Sequence, residues 1–246
     1  MRPYLLRILL AIFLPLSLFI LPTRHLWQMF DSSIYTWCNT SVAYHPIQRV
    51  FWAFANIKIT DLFGAFFLGG CFFIYIREVD GYERRKRVAH LLYALVWFEI
   101  TILLSKQCLN PILDHLRLWR RSPSLVLSDG FALSKLVSWR KIKDHAYSSF
   151  PGDHATIVFL WCSFLWFFAG RARGLLAFCC CPLFLLPRVI SGAHWASDIV
   201  VGSAAIVILA MTVATYPPLL NWALNKLYRC LKYTPEDSYA HISRDR

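Results

Sequence analysis

Long apolar runs, separated by short basic stretches, decide what this chain can fold into. About 18–20 apolar residues in helical form cross the roughly 30 Å of hydrocarbon in a bilayer. Backbone groups there have no water to bond, so each run must satisfy its own N–H and C=O groups as a helix. The runs predict six spans, over about 4–22, 62–76, 88–104, 154–169, 175–187 and 196–216. Hydrophobic residues make up 57% of the chain, above the roughly 45–50% of soluble domains. The expected fold class is all-α: a polytopic membrane protein in one integral-membrane domain over 1–232, with a short polar cytoplasmic tail over 233–246.

The formal charge of +12 is not read as nucleic-acid binding, because the basic residues alternate with apolar spans. Arg2 and Arg7, Arg84-Arg85-Lys86-Arg87, Arg171 with Arg173, and Lys226, Arg229 and Lys232 all fall on one face of a six-span bundle. The positive-inside rule makes that face cytoplasmic, with both termini on it. The first run lacks a small-residue cleavage site after it and is read as a retained anchor rather than a signal peptide. Most cysteines lie inside apolar spans, where a thiol acts as a small hydrophobe. Cys38 and Cys108 fall outside them, which leaves a disulfide between those two open. Segment 23–61 mixes aromatic and polar residues and is expected to lie at the membrane interface.

The opposite face receives segments 105–153 and 188–195, which hold nearly every residue able to do chemistry. In Pro187-Arg188-Val189-Ile190-Ser191-Gly192-Ala193-His194-Trp195-Ala196-Ser197-Asp198, a base, an acid and a histidine meet at the edge of an apolar span. Charged groups there are rare and usually functional. If a helix has already begun at His194, Asp198 four residues on shares its face. A carboxylate on one ring nitrogen fixes the tautomer and frees the other to attack. Arg188 offers a forked cation suited to phosphate oxygens. In Ser148-Ser149-Phe150-Pro151-Gly152-Asp153-His154, a Pro-Gly turn enters a helix with Asp153 as expected N-cap. The exposed N–H groups form an anion site, and His154 stands ready to protonate a leaving oxygen. Arg117, Arg120, Arg121, Lys135, Arg140, Lys141 and Lys143 add positive charge that a phosphorylated headgroup would offset.

Arg188-x5-His194-x3-Asp198 resembles the third signature of the type 2 phosphatidic acid phosphatase superfamily, and Phe150-Pro151-Gly152-Asp153-His154 resembles its second. Gly152 and Asp153 replace the usual Ser and Gly. The first signature is loose: Arg120 with Ser122-Pro123 fits its arginine best, and Lys106 is distant for its lysine. Ser-Phe-Pro-Gly-Asp-His with Pro-Arg-x3-Gly-Ala-His-Trp-x2-Asp-Ile looks like the branch that carries phosphate to lipid A. Lys143-Asp144 and Asp61 resemble that branch as well, Asp61 serving equally well as a helix N-cap.

The resemblance implies a superfamily-type helical core in a bacterial inner membrane, with the active site on the periplasmic side. It implies that His194 attacks a lipid diphosphate, oriented by Asp198, while His154 protonates the departing lipid phosphate. Phosphate-binding roles would fall to Arg120, Arg188, Gly152, Asp153 and Ser149, and more weakly to Arg121 and Lys106. Undecaprenyl diphosphate is the expected donor and the 1-phosphate of lipid A the acceptor, through a phosphohistidine. Simple hydrolysis of a lipid diphosphate is the competing reading, since only the acceptor differs. No carboxylate cluster on this face suits Mg2+, so neither a metal nor a cofactor is expected.

Overall fold

The computed structural model describes residues 2–128, 130–138 and 142–232; Arg140, Lys141 and the tail from 233 lie outside them. Among the described residues the fold is all-helical. In chain order come α1 (Arg2–Leu16), α2 (Thr23–Tyr44), α3 (Pro46–Ala55), α4 (Lys58–Arg77) and α5 (Gly81–Leu104). A wide π-turn over Ser105–Leu109 carries α5 on into α6 (Asn110–His115), and two single turns follow, α7 (Pro123–Val126) and α8 (Leu133–Leu136). Then come α9 (Asp153–Ala169) and α10 (Arg171–Ile190). A second π-turn over Asp198–Ser203 leads into α11 (Ala204–Ala214), and α12 (Pro217–Cys230) closes the described chain.

Each expected span has its helix, but not six of full length. Lys58–Arg77, Gly81–His115 and Arg171–Ile190 are long and apolar enough to cross a membrane. Asp198–Ala214 and Pro217–Cys230 make a fourth if that pair, bent by 71°, counts as one. α1 and α9 are apolar but shorter; the 17 residues of α9 rise only about 25 Å. α1 stops at Leu16 rather than at residue 22. Beyond Pro15, the Ser17 hydroxyl bonds Leu14 O at 2.6 Å and the Thr23 hydroxyl bonds Ser17 O at 2.7 Å. These side-chain bonds compete with continued helix.

α9 forms the axis of the bundle, packed by α4, α5, α10 and α11. Its Leu160, Cys162, Phe164 and Leu165 are buried together with Phe72 of α4 and Tyr93 of α5. A polar join seals one end of this core: buried His90 bonds the Tyr75 hydroxyl at 3.0 Å and the Tyr228 hydroxyl at 3.2 Å. The basic stretches gather at that end. Arg87 and Arg173 both pair with Glu78, and Arg85 donates to Lys232 O at 3.0 Å. Tyr4 of α1 reaches Thr215 O at the end of α11.

At the other end α2 and α3 form a helical hairpin with Trp37, Ile47 and Phe51 exposed on its outer face. Residues 130–138 and Ile142 pack onto this hairpin. Asn39 brackets Phe131, donating to its carbonyl at 2.9 Å and accepting from its N–H at 2.6 Å. Buried Asp144 accepts from Ser134 N at 2.8 Å and from the His145 ring at 2.9 Å. Burial raises the Asp144 carboxyl, but the bonds from Ser134 and His145 outweigh it and hold the group below the ordinary carboxylate range. The disulfide left open between Cys38 and Cys108 is not formed: both thiols are free, one buried in α2 and the other exposed in the π-turn after α5.

Candidate active site

The second histidine motif is built on a turn, not on a helix. α10 ends at Ile190, and Ala193 N and His194 N both return to Arg188 O at 3.0 and 3.1 Å. Gly192 makes the reversal possible with a φ of +80°, a region that costs a side chain but not glycine. A Cβ there would stand 2.7 Å from the Tyr35 ring. The turn places the His194 Nδ1 2.7 Å from Ser149 O. A carbonyl oxygen only accepts, so Nδ1 carries the proton and the neutral ring keeps its lone pair on Nε2.

This arrangement corrects the expected pairing of His194 with Asp198. The next helix begins only at Ala196, so a spacing of four does not bring the two onto one face. Asp198 instead caps that helix, accepting from Trp195 N at 3.0 Å, the return half of a capping box. Its other oxygen accepts from Arg120 Nη1 at 2.8 Å. The orienting task expected of a carboxylate falls to a backbone carbonyl, and Asp198 braces the loop that presents the histidine.

Ser149 is fixed from the far side, its N–H donating to Arg120 O at 2.7 Å and its hydroxyl at 3.1 Å. Four residues on, α9 begins. Its N-cap is Gly152, in extended backbone, and not Asp153, which is the first helical residue and makes no side-chain cap bond. An acid at that position still complements the helix dipole. Gly152 O accepts from Thr156 N at 2.9 Å and from the Ser203 hydroxyl at 2.8 Å, which joins the α9 entry to the π-turn.

Both arginines of the motifs are already paired. Arg188, 3% exposed, donates through Nη2 to Asp61 at 2.6 and 2.8 Å and through Nη1 to the Asn56 side chain. Arg120 donates through Nη2 to Asp31 at 2.6 Å and through Nη1 to Asp198 and to the Ser197 hydroxyl. Asp31 also accepts from Ser197 N at 2.9 Å. Sequence reasoning missed Asp31, Asn56 and Ser197, and left Asp61 between a likeness to the lipid A branch and a helix cap. One signal was available: Asp31 and Asp61 are the only acids in segment 23–61, and each meets an arginine of a motif.

His154, Arg188 and Lys143 lie around His194 closely enough to act on its charge. Burial lowers the His194 pKa to about 4, with further depression by Arg188, His154 and Lys143 against the Ser149 carbonyl. His154 and Asp61 line one cavity of about 140 Å³, with Nε2 3.9 Å from Oδ1. Lys143 completes the group through a 3.1 Å bond to Asp61 Oδ2.

Other expected phosphate ligands lie elsewhere. Lys106 and Asp153 share a separate small cavity with Ser105 and Thr156. The Arg121 guanidinium lies over the Trp119 ring, and its carbonyl accepts from the Trp195 indole at 2.7 Å. Among the described residues, no three His, Cys, Asp or Glu side chains are grouped as a metal would need.

An imidazole with a free Nε2, near a second imidazole and two cations, is suited to receiving a phosphoryl group. Residues 97–222, just over half of the chain, match the PAP2 superfamily, and the chain belongs to it, as an enzyme of the phosphatase or phosphoryl-transfer type. The chain is also 28% identical over 202 residues to the lipid A 1-diphosphate synthase of Escherichia coli (strain K12), covering 81% of each protein. No solved structure matches it.

Proposed function

We propose that the chain transfers a phosphoryl group from undecaprenyl diphosphate to the 1-phosphate of lipid A. His194 Nε2 attacks the terminal phosphorus, and His154 protonates the departing undecaprenyl phosphate. The phosphohistidine so formed passes its phosphoryl group to lipid A while His154 takes up any proton released. Arg188 and Lys143 hold the phosphoryl oxygens and offset charge as it shifts in the transition state. Arg120 and Asp198 act behind them by keeping the His194 loop in place. The reaction is proposed for the periplasmic face of a bacterial inner membrane, opposite the end where the basic stretches gather.

One observation carries the reading: the bond from His194 Nδ1 to Ser149 O, which leaves Nε2 unprotonated beside His154, Arg188 and Lys143. The name of the E. coli relative supports lipid A as the acceptor. The test incubates purified protein with undecaprenyl diphosphate labelled in its terminal phosphate, with and without Kdo2-lipid A. Label is expected on lipid A, and it disappears in His194→Ala. Label released only as free phosphate, whatever acceptor is present, refutes transfer and leaves hydrolysis.

A further inference from the structure

We propose that Asp61 is the carboxylate partner of His154, holding its imidazolium in charge and in orientation for protonating the leaving lipid phosphate. This rests on the phosphoryl-transfer reading and adds to it a positioning residue from α4.

The argument begins with what a carboxylate can accept. Two oxygens offer about four lone-pair sites. Arg188 Nη2 takes one on each oxygen, at 2.6 Å to Oδ1 and 2.8 Å to Oδ2. Lys143 Nζ takes the second on Oδ2 at 3.1 Å. The site that remains is on Oδ1, and Oδ1 is the oxygen 3.9 Å from His154 Nε2. Both groups open onto the same cavity, between Thr60 and Gly64 of α4 and Ile157 and Phe184 of α9 and α10. Catalytic hydrogen bonds commonly start long and tighten in the Michaelis complex. Arg188 alone needs no such placement: Asn56 and either carboxylate oxygen would satisfy its fork.

His154 is faced by Asp61 from α4, Arg188 from α10, Lys143 from the loop before α9 and His194 from the turn after α10. Asp61 is the one anion among them, and beside a weaker contribution from the Phe184 backbone it is the main group that favours the charged imidazole against three basic neighbours. In the first half-reaction the Nε2 lone pair of His194 forms the N–P bond. The P–O bond breaks with its electron pair going to the bridging oxygen, and that oxygen takes the proton from His154. In the second half the acceptor oxygen bonds phosphorus, the N–P pair returns to His194, and neutral His154 takes any proton the acceptor releases. The Asp61 carboxylate opposes the charge of the imidazolium each time it forms.

The experiment measures kcat and KM against pH for label release from undecaprenyl diphosphate in three proteins: wild type, Asp61→Asn, and Asn56→Asp with Asp61→Asn. The double variant returns a counterion to Arg188 from a side chain that does not face His154, and it carries the test should Asp61→Asn fail to fold. Loss of an opposite charge at this distance shifts a neighbour's pKa by about one to three units. The basic limb of kcat is therefore expected one to two units lower (about tenfold or more in rate at the wild-type limb) in either folded variant. A limb coincident with that of wild type, with KM alone raised, reduces Asp61 to an anchor for Arg188 and overturns the proposal while leaving the transfer reading intact. Wild-type protein inert toward lipid diphosphates overturns both.

Discussion

Replacing Asp31 by Ala tests whether the brace behind the site is as stiff as its geometry implies. Asp31 is 1% exposed and Ser197 fully buried. The substitution removes the acceptor for Ser197 N, for the Ser197 hydroxyl and for Arg120 Nη2. Hydrogen bonds to a charged group contribute about 1.5–3 kcal/mol each. Breaking a buried ion pair by removing one partner costs about 3–5 kcal/mol. Arg120 keeps Asp198 and is partly open to water, its side chain 16% exposed, so the lower part of that range applies, about 3 kcal/mol. The assay is unfolding in mixed micelles of non-ionic detergent and SDS, run as a cycle with Arg120→Met. The two single changes share one network, so the double variant should be less destabilised than their sum by about 1–3 kcal/mol. A cost for Asp31→Ala below about 1 kcal/mol, the level of an exposed pair, or strict additivity in the cycle, refutes the reasoning.

Other consequences can be checked more quickly. Since the His194 pKa is lowered to about 4, the ring stays neutral, and nucleophilic, as pH falls from 7. The acid limb of kcat/KM due to this group is expected near pH 4, and a limb at the ordinary histidine value of about 6.5 would contradict the burial that depresses it. Gly192→Ala forces a side chain into positive φ against Tyr35 and Ser124. It should cost about 1–3 kcal/mol and lower transfer, whereas Gly152→Ala, whose Cβ meets only the Ser203 hydroxyl closely at 3.1 Å, should be milder by thermal unfolding. Lys143→Gln should raise KM for the lipid diphosphate severalfold, while Lys106→Gln, in its separate cavity, should leave KM within about twofold; the reverse order would move the phosphate site.

The parts of the fold legible in the sequence are those set by local chemistry. Apolar runs gave helices because a bilayer leaves few alternatives, and Arg188, His154, His194 and Asp198 stood out as polar residues at span edges. What stayed hidden depends on contacts distant in the chain. Nothing near His194 announces that Ser149 O, 45 residues earlier, will hold its ring. The His194–Asp198 spacing misled because helical spacing was assumed across a turn that Gly192 shapes. The end of α1 moved because Ser17 and Thr23 spend their hydroxyls on backbone carbonyls. Segment 23–61 was read through its aromatics, and its two acids carried the information that mattered.

The pairing of those acids also bears on how separable this enzyme is into parts. Arg120 and Arg188 fall within residues 97–222, the stretch that matches the superfamily, while Asp31, Asn56 and Asp61 all precede it. A fragment beginning near residue 97 would keep both histidines yet bury two guanidinium groups with two of their three carboxylate partners missing. Grafting the motif-bearing half onto a different N-terminal hairpin would meet the same deficit unless the graft carried acids at matching heights. The stretch that matches the superfamily is therefore not expected to work as an autonomous catalytic unit, and exchange between relatives should succeed only when arginines and acids travel together.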